Sequence, residues 1–221
     1  MIREEVLAAN AALPAHGLVT LTWGNASGID RDRGLVAIKP SGVSYDSMTL
    51  ADIVVLDLGG NVVEGERRPS TDTPTHLELY RSCDWIGGIV HTHSTWATAW
   101  AQAEREIPLF GTTHADLSDR PIPLTRPLTA EEVEEDYEGA TGRAIVEATT
   151  EHDCCALVRG HGPFTWGGSA AAAVEAAVTL EQVARLALLT TLLAPGAEPL
   201  AEVIRRKHFE RKHGPHAYYG Q

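Results

Sequence analysis

The segment Ile89-Val90-His91-Thr92-His93 ends a short apolar run on two histidines one residue apart. On a β-strand, residues i and i+2 project from one face, so both imidazoles can converge on a single cation. His161, in Arg159-Gly160-His161-Gly162, follows a second apolar run, Cys155-Ala156-Leu157-Val158. Three imidazoles at strand ends, completed by a carboxylate or water, fit a catalytic zinc site with an open coordination position. A lone histidine is more often a hydrogen-bonded structural residue. Three in this pattern favour a metal.

Three loops of small residues add a second chemistry. Trp23-Gly24-Asn25-Ala26-Ser27-Gly28 offers accessible backbone N–H groups, Lys39-Pro40-Ser41-Gly42 adds a lysine, and Pro69-Ser70-Thr71-Asp72 leads into a helix N-terminus. Each alone is ordinary turn chemistry. Together with a metal they imply a small phosphorylated substrate whose far end chelates the cation.

These residues need a scaffold. A helix is expected over residues 1–12, with Ile2, Val6, Ala9 and Leu13 on one stripe and Pro14 at its end. Leu18 to Trp23 reads as a β-branched and aromatic strand, and hairpins are expected over 28–39 and 53–63. Pro74 to Cys83 reads as a helix capped by Asp72 or Thr73. The histidine strand, 86–93, leads into a helix from Ser94 to Ala103 with Trp96 and Trp100 in the core. Ile107 to Pro127 is interrupted by prolines and reads as strand and loop. The acidic run Glu131 to Asp136 starts a helix reaching about His152, followed by a strand at 154–158. A long apolar helix, 169–194, and a last helix, 199–212, complete the chain. Hairpins first and strand–helix alternation later predict one α/β layer fold with a mixed sheet.

The bulk properties narrow the function. At 221 residues the chain fits one domain, 1–221, with a full core. Its net charge of −12 argues against a nucleic-acid partner, and an anionic substrate then needs local positive charge. The charged opening, Met1-Ile2-Arg3-Glu4-Glu5, does not read as a secretory signal, and three cysteines form no disulfide framework, so a cytoplasmic enzyme is expected. The long apolar helix carries Glu175, Glu181, Gln182 and Arg185, which suits a buried helix rather than a membrane span. The segment Arg205-Arg206-Lys207-His208 through Arg211-Lys212-His213 concentrates positive charge, either as a solvated helix end or to dock on a neighbouring subunit beside a phosphosugar.

Thr22-Trp23-Gly24-Asn25-Ala26-Ser27, Ile38-Lys39-Pro40-Ser41-Gly42, the stretch Pro69 to His76, and His91-Thr92-His93 resemble the class II aldolase/epimerase family. Gly111-Thr112-Thr113-His114-Ala115-Asp116 and the tail Arg211 to Gln221 look like its bacterial 4-epimerase branch. The resemblance spans essentially the whole chain. It implies a three-layer α/β/α fold with a central, largely antiparallel mixed sheet, assembled as a homotetramer with active sites between subunits. Zinc would be held by His91, His93 and His161, with Asp72 as fourth ligand. A phosphorylated ketopentose would place its phosphate among Gly24, Asn25, Lys39, Ser41, Gly42, Ser70 and Thr71. Asp116 and Tyr219 would be the two acid/base groups, Tyr219 coming from the neighbouring subunit, and His208 would lie near the substrate. Thr71 departs from a serine common in relatives but keeps the hydroxyl.

The reaction so implied is chemically coherent. A carbon bearing only a hydroxyl, away from a carbonyl, has no acidic C–H, so C4 of a 2-ketose cannot be inverted by simple deprotonation. Breaking and remaking the C3–C4 bond inverts it, through an enediolate and glycolaldehyde, and two proton carriers on opposite faces are then required. An L-fuculose-phosphate aldolase-like lyase is the alternative, although such enzymes usually carry a glutamate where Asp72 stands. A scaffold resembling the adducin head would lack the metal ligands present here.

Overall fold

The computed structural model describes residues 2–218. Its centre is a seven-stranded sheet in the order β4-β3-β2-β1-β5-β7-β6, with every strand pair antiparallel. The strands are β1 (Asn25–Asp30), β2 (Leu35–Ile38), β3 (Val54–Asp57), β4 (Val62–Glu64), β5 (Gly88–His91), β6 (Cys155–Leu157) and β7 (Pro163–Gly167). The helices are α1 (Ile2–Ala15), α2 (Thr73–Ser82), α3 (Thr95–Gln102), α4 (Thr112–Leu117), α5 (Ala130–Ala148), α6 (Ala170–Leu193) and α7 (Glu202–His213).

Alternation along the strands sorts side chains into two helical layers. Ala26, Ala37 and Val90 face Val6, Ala9 and Leu13 of α1 and Ala173 and Ala177 of α6. Their neighbours Val36 and Ile89, with Ala156, Phe164 and Trp166, face Leu77 and Tyr80 of α2 and Ile145 of α5. The result is the expected α/β/α sandwich. His91, two residues beyond Ile89, falls on the α2/α5 side and stacks on Phe164, with ring centroids 4.2 Å apart.

Among the described residues, α6 is the helix long and apolar enough to cross a membrane. Here it packs on the sheet, with Ala173, Leu180 and Ala184 fully buried. The Glu181 carboxylate accepts the N–H groups of Trp96 and Ala97 at 2.8 and 2.9 Å, closing the N-terminus of α3. A charge inside an apolar helix thus satisfies orphan donors of its neighbour.

Three expectations fail. The sheet is antiparallel throughout its seven strands and not mixed, since among the described residues no two neighbouring strands are joined by a parallel crossover. Residues 18–23 form no strand: Leu21 adopts φ +55° and Gly24 φ +78°, which extended pairing does not allow. The composition suits a strand, yet the segment is a turn that carries the chain over the site. Ile107 to Pro127 contains helix α4, six residues between Pro108 and Pro121, flanked by isolated bridges at Ile107–Ile122 and Leu124–Leu157. The hairpins and helices α2, α3, α5, α6 and α7 stand as read, to within a few residues at their ends. Pro14 lies inside α1, which continues to Ala15.

Candidate active site

The site forms where β1 begins and β5 ends. Register pairs Asn25 with His91, so the first residue of one strand lies opposite the last of the other. His93 lies two residues past His91, and His161 sits in the turn between β6 and β7, just before Pro163. The three imidazoles form a near-regular triangle with centroid separations of 4.8, 4.9 and 4.9 Å. Their ligand atoms lie within 4.8 Å of one another, and the two Nε2 atoms of His91 and His93 are 3.2 Å apart. His91 is buried, His161 half-buried and His93 exposed, so the cluster opens to one side.

The donor set fits a divalent cation. The Pro163 carbonyl accepts from Nδ1 of His91 at 3.0 Å, which leaves the Nε2 lone pair turned toward His93. Burial holds His91 down to about 4, reinforced by His161 and His93 and opposed by Asp72. Burial likewise lowers His161 and His93. All three are therefore neutral ligands at physiological pH, as metal binding requires. Borderline imidazole donors suit zinc.

Asp72 stands beside this trio and not within it. It occupies the N-cap of α2, but its carboxylate is taken by Asn25, whose Nδ2 donates to Oδ2 at 2.6 Å and to Ser70 Oγ at 3.0 Å. Burial raises its pKa, but the charges of His91, His76 and His161 and the Asn25 amide outweigh that, so the carboxyl lies below its ordinary value. Among the described residues, Asn25 Oδ1 is buried with no donor facing it.

The two remaining loops are stitched together. Pro40 and Pro69 form an antiparallel bridge, Ser41 N–H donates to Arg68 O at 2.9 Å, and Ser70 N–H donates to Lys39 O at 3.0 Å. One cleft of about 530 Å³ is consequently lined by Gly24, Asn25, Lys39, Ser41, Gly42, Ser70, Thr71, Asp72, His93 and His161. Lys39 is almost fully buried, with Nζ donating to Thr22 O and Pro40 O at 3.3 Å, and burial lowers its pKa. It also lies 4.8 Å from the centre of the Tyr45 ring, whose hydroxyl is 2.8 Å from both the Trp23 and Gly24 carbonyls.

Tyr45 thus braces both the loop and the cation of the cleft, and the sequence reading passed it over. It also passed over the buried chain Tyr80–Ser27–His76, with hydroxyl–hydroxyl and hydroxyl–Nδ1 separations of 2.8 and 2.7 Å. That chain lies directly beneath Asp72. A tyrosine three residues past Gly42 and a histidine four past Asp72 were the available signals, but neither spacing is distinctive.

Asp116 and His208 lie elsewhere on the chain, outside the cleft lining. Asp116, on α4, accepts from Arg211 Nε and Nη2 at 3.0 and 2.8 Å and from His208 Nδ1 at 3.1 Å, both on α7. Burial opposes its ionisation, but Arg211 and His208 hold its pKa below the ordinary value. Tyr219 lies outside the described residues.

A three-layer sandwich with a histidine triangle at the end of its central strands places a candidate divalent-cation site beside a cleft of small residues. Residues 4–188 match the class II aldolase and adducin N-terminal domain, and the chain belongs to that family. It is 54% identical over 224 residues to L-ribulose-5-phosphate 4-epimerase UlaF of Salmonella paratyphi A, covering 100% of this chain and 98% of that protein. The protein of the same name from Salmonella typhi matches equally. Among solved structures, an L-fuculose 1-phosphate aldolase aligns with a TM-score of 0.82 at 27% identity over 95% of both chains. The Thermus thermophilus enzyme of that name gives 0.70 at 26%, covering 90% of this chain and 98% of its own.

Proposed function

We propose that this chain, as a single domain over 1–221, is a zinc-dependent isomerase interconverting L-ribulose 5-phosphate and D-xylulose 5-phosphate. The observation that carries it is the 54% identity to L-ribulose-5-phosphate 4-epimerase UlaF over the whole chain, tail included. The cleft supports it: one end offers metal ligands and the other a phosphate-sized group of small residues beside a buried lysine.

His91, His93 and His161 would hold the metal, and Asp72 beside them, with Oδ2 bonded to Asn25, would complete the set through its other oxygen. Zinc, when bound, supplies Lewis-acid stabilisation of charge developing on the ketose oxygens. The backbone N–H groups of Gly24, Gly42 and Thr71 and the hydroxyls of Ser41, Ser70 and Thr71 take the phosphate, and Lys39 balances its charge. The unpartnered Asn25 Oδ1 accepts from a substrate hydroxyl. C3–C4 cleavage releases the C4 hydroxyl proton, and re-addition to the other aldehyde face returns one. Asp116 and Tyr219 carry these protons on opposite faces.

Asp116 lies outside the cleft of its own chain, so the complete site is built between subunits of a homotetramer. An exposed apolar set on α6 and α7, namely Leu186, Leu189, Leu192, Leu193, Val203 and Ile204, supports an assembly. A soluble, cytoplasmic enzyme follows. The likeness to L-fuculose 1-phosphate aldolase supports a second reading, a lyase that releases its fragments.

Incubation of the zinc-loaded protein with L-ribulose 5-phosphate separates the readings. Formation of D-xylulose 5-phosphate is expected. Release of dihydroxyacetone phosphate and glycolaldehyde establishes the lyase, and no turnover refutes both.

A further inference from the structure

We propose that Tyr137 is a positioning residue of the cation site: its hydroxyl accepts the Nδ1 proton of His161 and so presents Nε2 of that ring to the metal. The inference rests on the reading of His91, His93 and His161 as metal ligands.

Tyr137 is not where a regular helix would put it. Within α5, Asp136 leaves helical geometry, with φ −159° and ψ 60°, and breaks the helix into two segments. Tyr137 opens the second. The Asp136 carboxylate is paired with Arg143 at 2.9 Å and folds over Gly139, where a Cβ would lie 2.2 Å from its Oδ2. Three residues on, a Cβ at Gly142 would lie 2.6 Å from Glu78 Cβ, so α5 meets α2 at closer than side-chain distance. Thr75 of α2 fastens the junction by donating to Glu138 O at 2.7 Å. The helix capped by Asp72 therefore fixes the helical segment that begins at Tyr137.

The consequence falls on His161. The Tyr137 ring stacks on the imidazole at 6.3 Å between centroids and 28° between planes, with its hydroxyl 3.4 Å from Nδ1. Tyr137 is 37% exposed, so core burial does not account for its place. With Nδ1 engaged, Nε2 is the nitrogen left for the cation. It must carry a lone pair, which puts the proton on Nδ1 and makes the phenol oxygen the acceptor. His91 is arranged in the same way, its Nδ1 bonded to the Pro163 carbonyl. Among the described residues no backbone carbonyl takes Nδ1 of His161, and the tyrosine fills that role.

The test titrates metal-free protein with zinc against a chromophoric chelator. Tyr137→Phe keeps the ring and loses the acceptor, so zinc should bind about tenfold or more weakly. Unfolding of the metal-free variant should match the parent, and the visible bands of the cobalt-loaded variant should shift as the His161 ring reorients. Zinc affinity within twofold of the parent, with an unaltered cobalt spectrum, overturns the proposal. His161→Asn is measured beside it. If it retains full zinc affinity, the metal reading itself falls. If it loses zinc while Tyr137→Phe does not, only the role of Tyr137 is wrong.

Discussion

Gly24 joins the proposed phosphate end of the cleft to its proposed metal end, and replacing it with alanine tests that junction. It adopts φ +78°, and an added Cβ would lie 2.8 Å from the His91 carbonyl oxygen and 3.0 Å from Val19 Cγ1. Gly34, in the turn between β1 and β2, shares the conformation at φ +64° but has nothing within 4 Å of such a Cβ. The pair separates backbone strain from steric conflict. A left-handed alanine costs about 1–2 kcal/mol, partly offset by about 0.4–1 kcal/mol from a stiffer unfolded chain. Gly34→Ala should therefore lose about 1 kcal/mol.

Gly24→Ala carries the same term plus an overpacking cost of about 1–3 kcal/mol, because the obstructing atom is sheet backbone. We expect a total of about 2–4 kcal/mol. The displaced backbone joins His91 to His93, so zinc affinity should fall about tenfold as well, as when a ligand loses its support. The assay is urea unfolding of metal-free protein at matched concentration, followed by chelator competition. If Gly24→Ala unfolds within about 0.5 kcal/mol of Gly34→Ala and keeps its zinc affinity, the close approach of loop and strand is not what holds the site.

Other consequences are equally open to measurement. Asp116→Asn and Tyr219→Phe should each lower kcat about a hundredfold with zinc content unchanged; mixed oligomers of the two should regain activity if sites are shared, and no recovery after proven subunit exchange would refute an interfacial site. Ser27→Ala strands His76 Nδ1 in the core and leaves the Tyr80 hydroxyl only its backbone partner Ile89, so about 1–3 kcal/mol should be lost, and a urea midpoint equal to the parent's would refute the buried chain. Burial depresses His76 to about 3 and His91 and His114 to about 4, against an ordinary 6.5. The unfolded chain takes up these protons near 6.5 while the fold refuses them until the lower values. Stability of the metal-free protein is thus full above about 6.5 and drains away as pH falls toward 4; equal unfolding midpoints at pH 7 and pH 5 would contradict this.

Much of the site is local and was therefore readable. His91 and His93 share a strand end, and the loops at Gly24, Ser41 and Ser70 follow strands or precede a helix, so short-range rules found them. Strand β7 escaped because Pro163 and Gly167 bracket its five residues with turn signals. Helix α4 escaped because the prolines around it dominate a six-residue element. The expected strand at 18–23 shows the opposite error: a β-branched composition that long-range packing bends into a turn. Tyr137 was invisible for a different reason. Its place depends on the break at Asp136 and on how closely α5 rides over α2, and neither is encoded within a few residues of the tyrosine.

Helix α7 has no buried residue and lies beyond the 4–188 stretch that matches the family. Hydrogen bonds to α4 at Asp116, from Arg211, His208 and His213, help to hold it against the sandwich. The proposed cation and phosphate ends of the site belong to the sandwich. On the proposed reading, the segment that returns the proton to the opposite face is an appendix fastened by charge. Such an attachment should loosen as ionic strength rises while the sandwich keeps its packing.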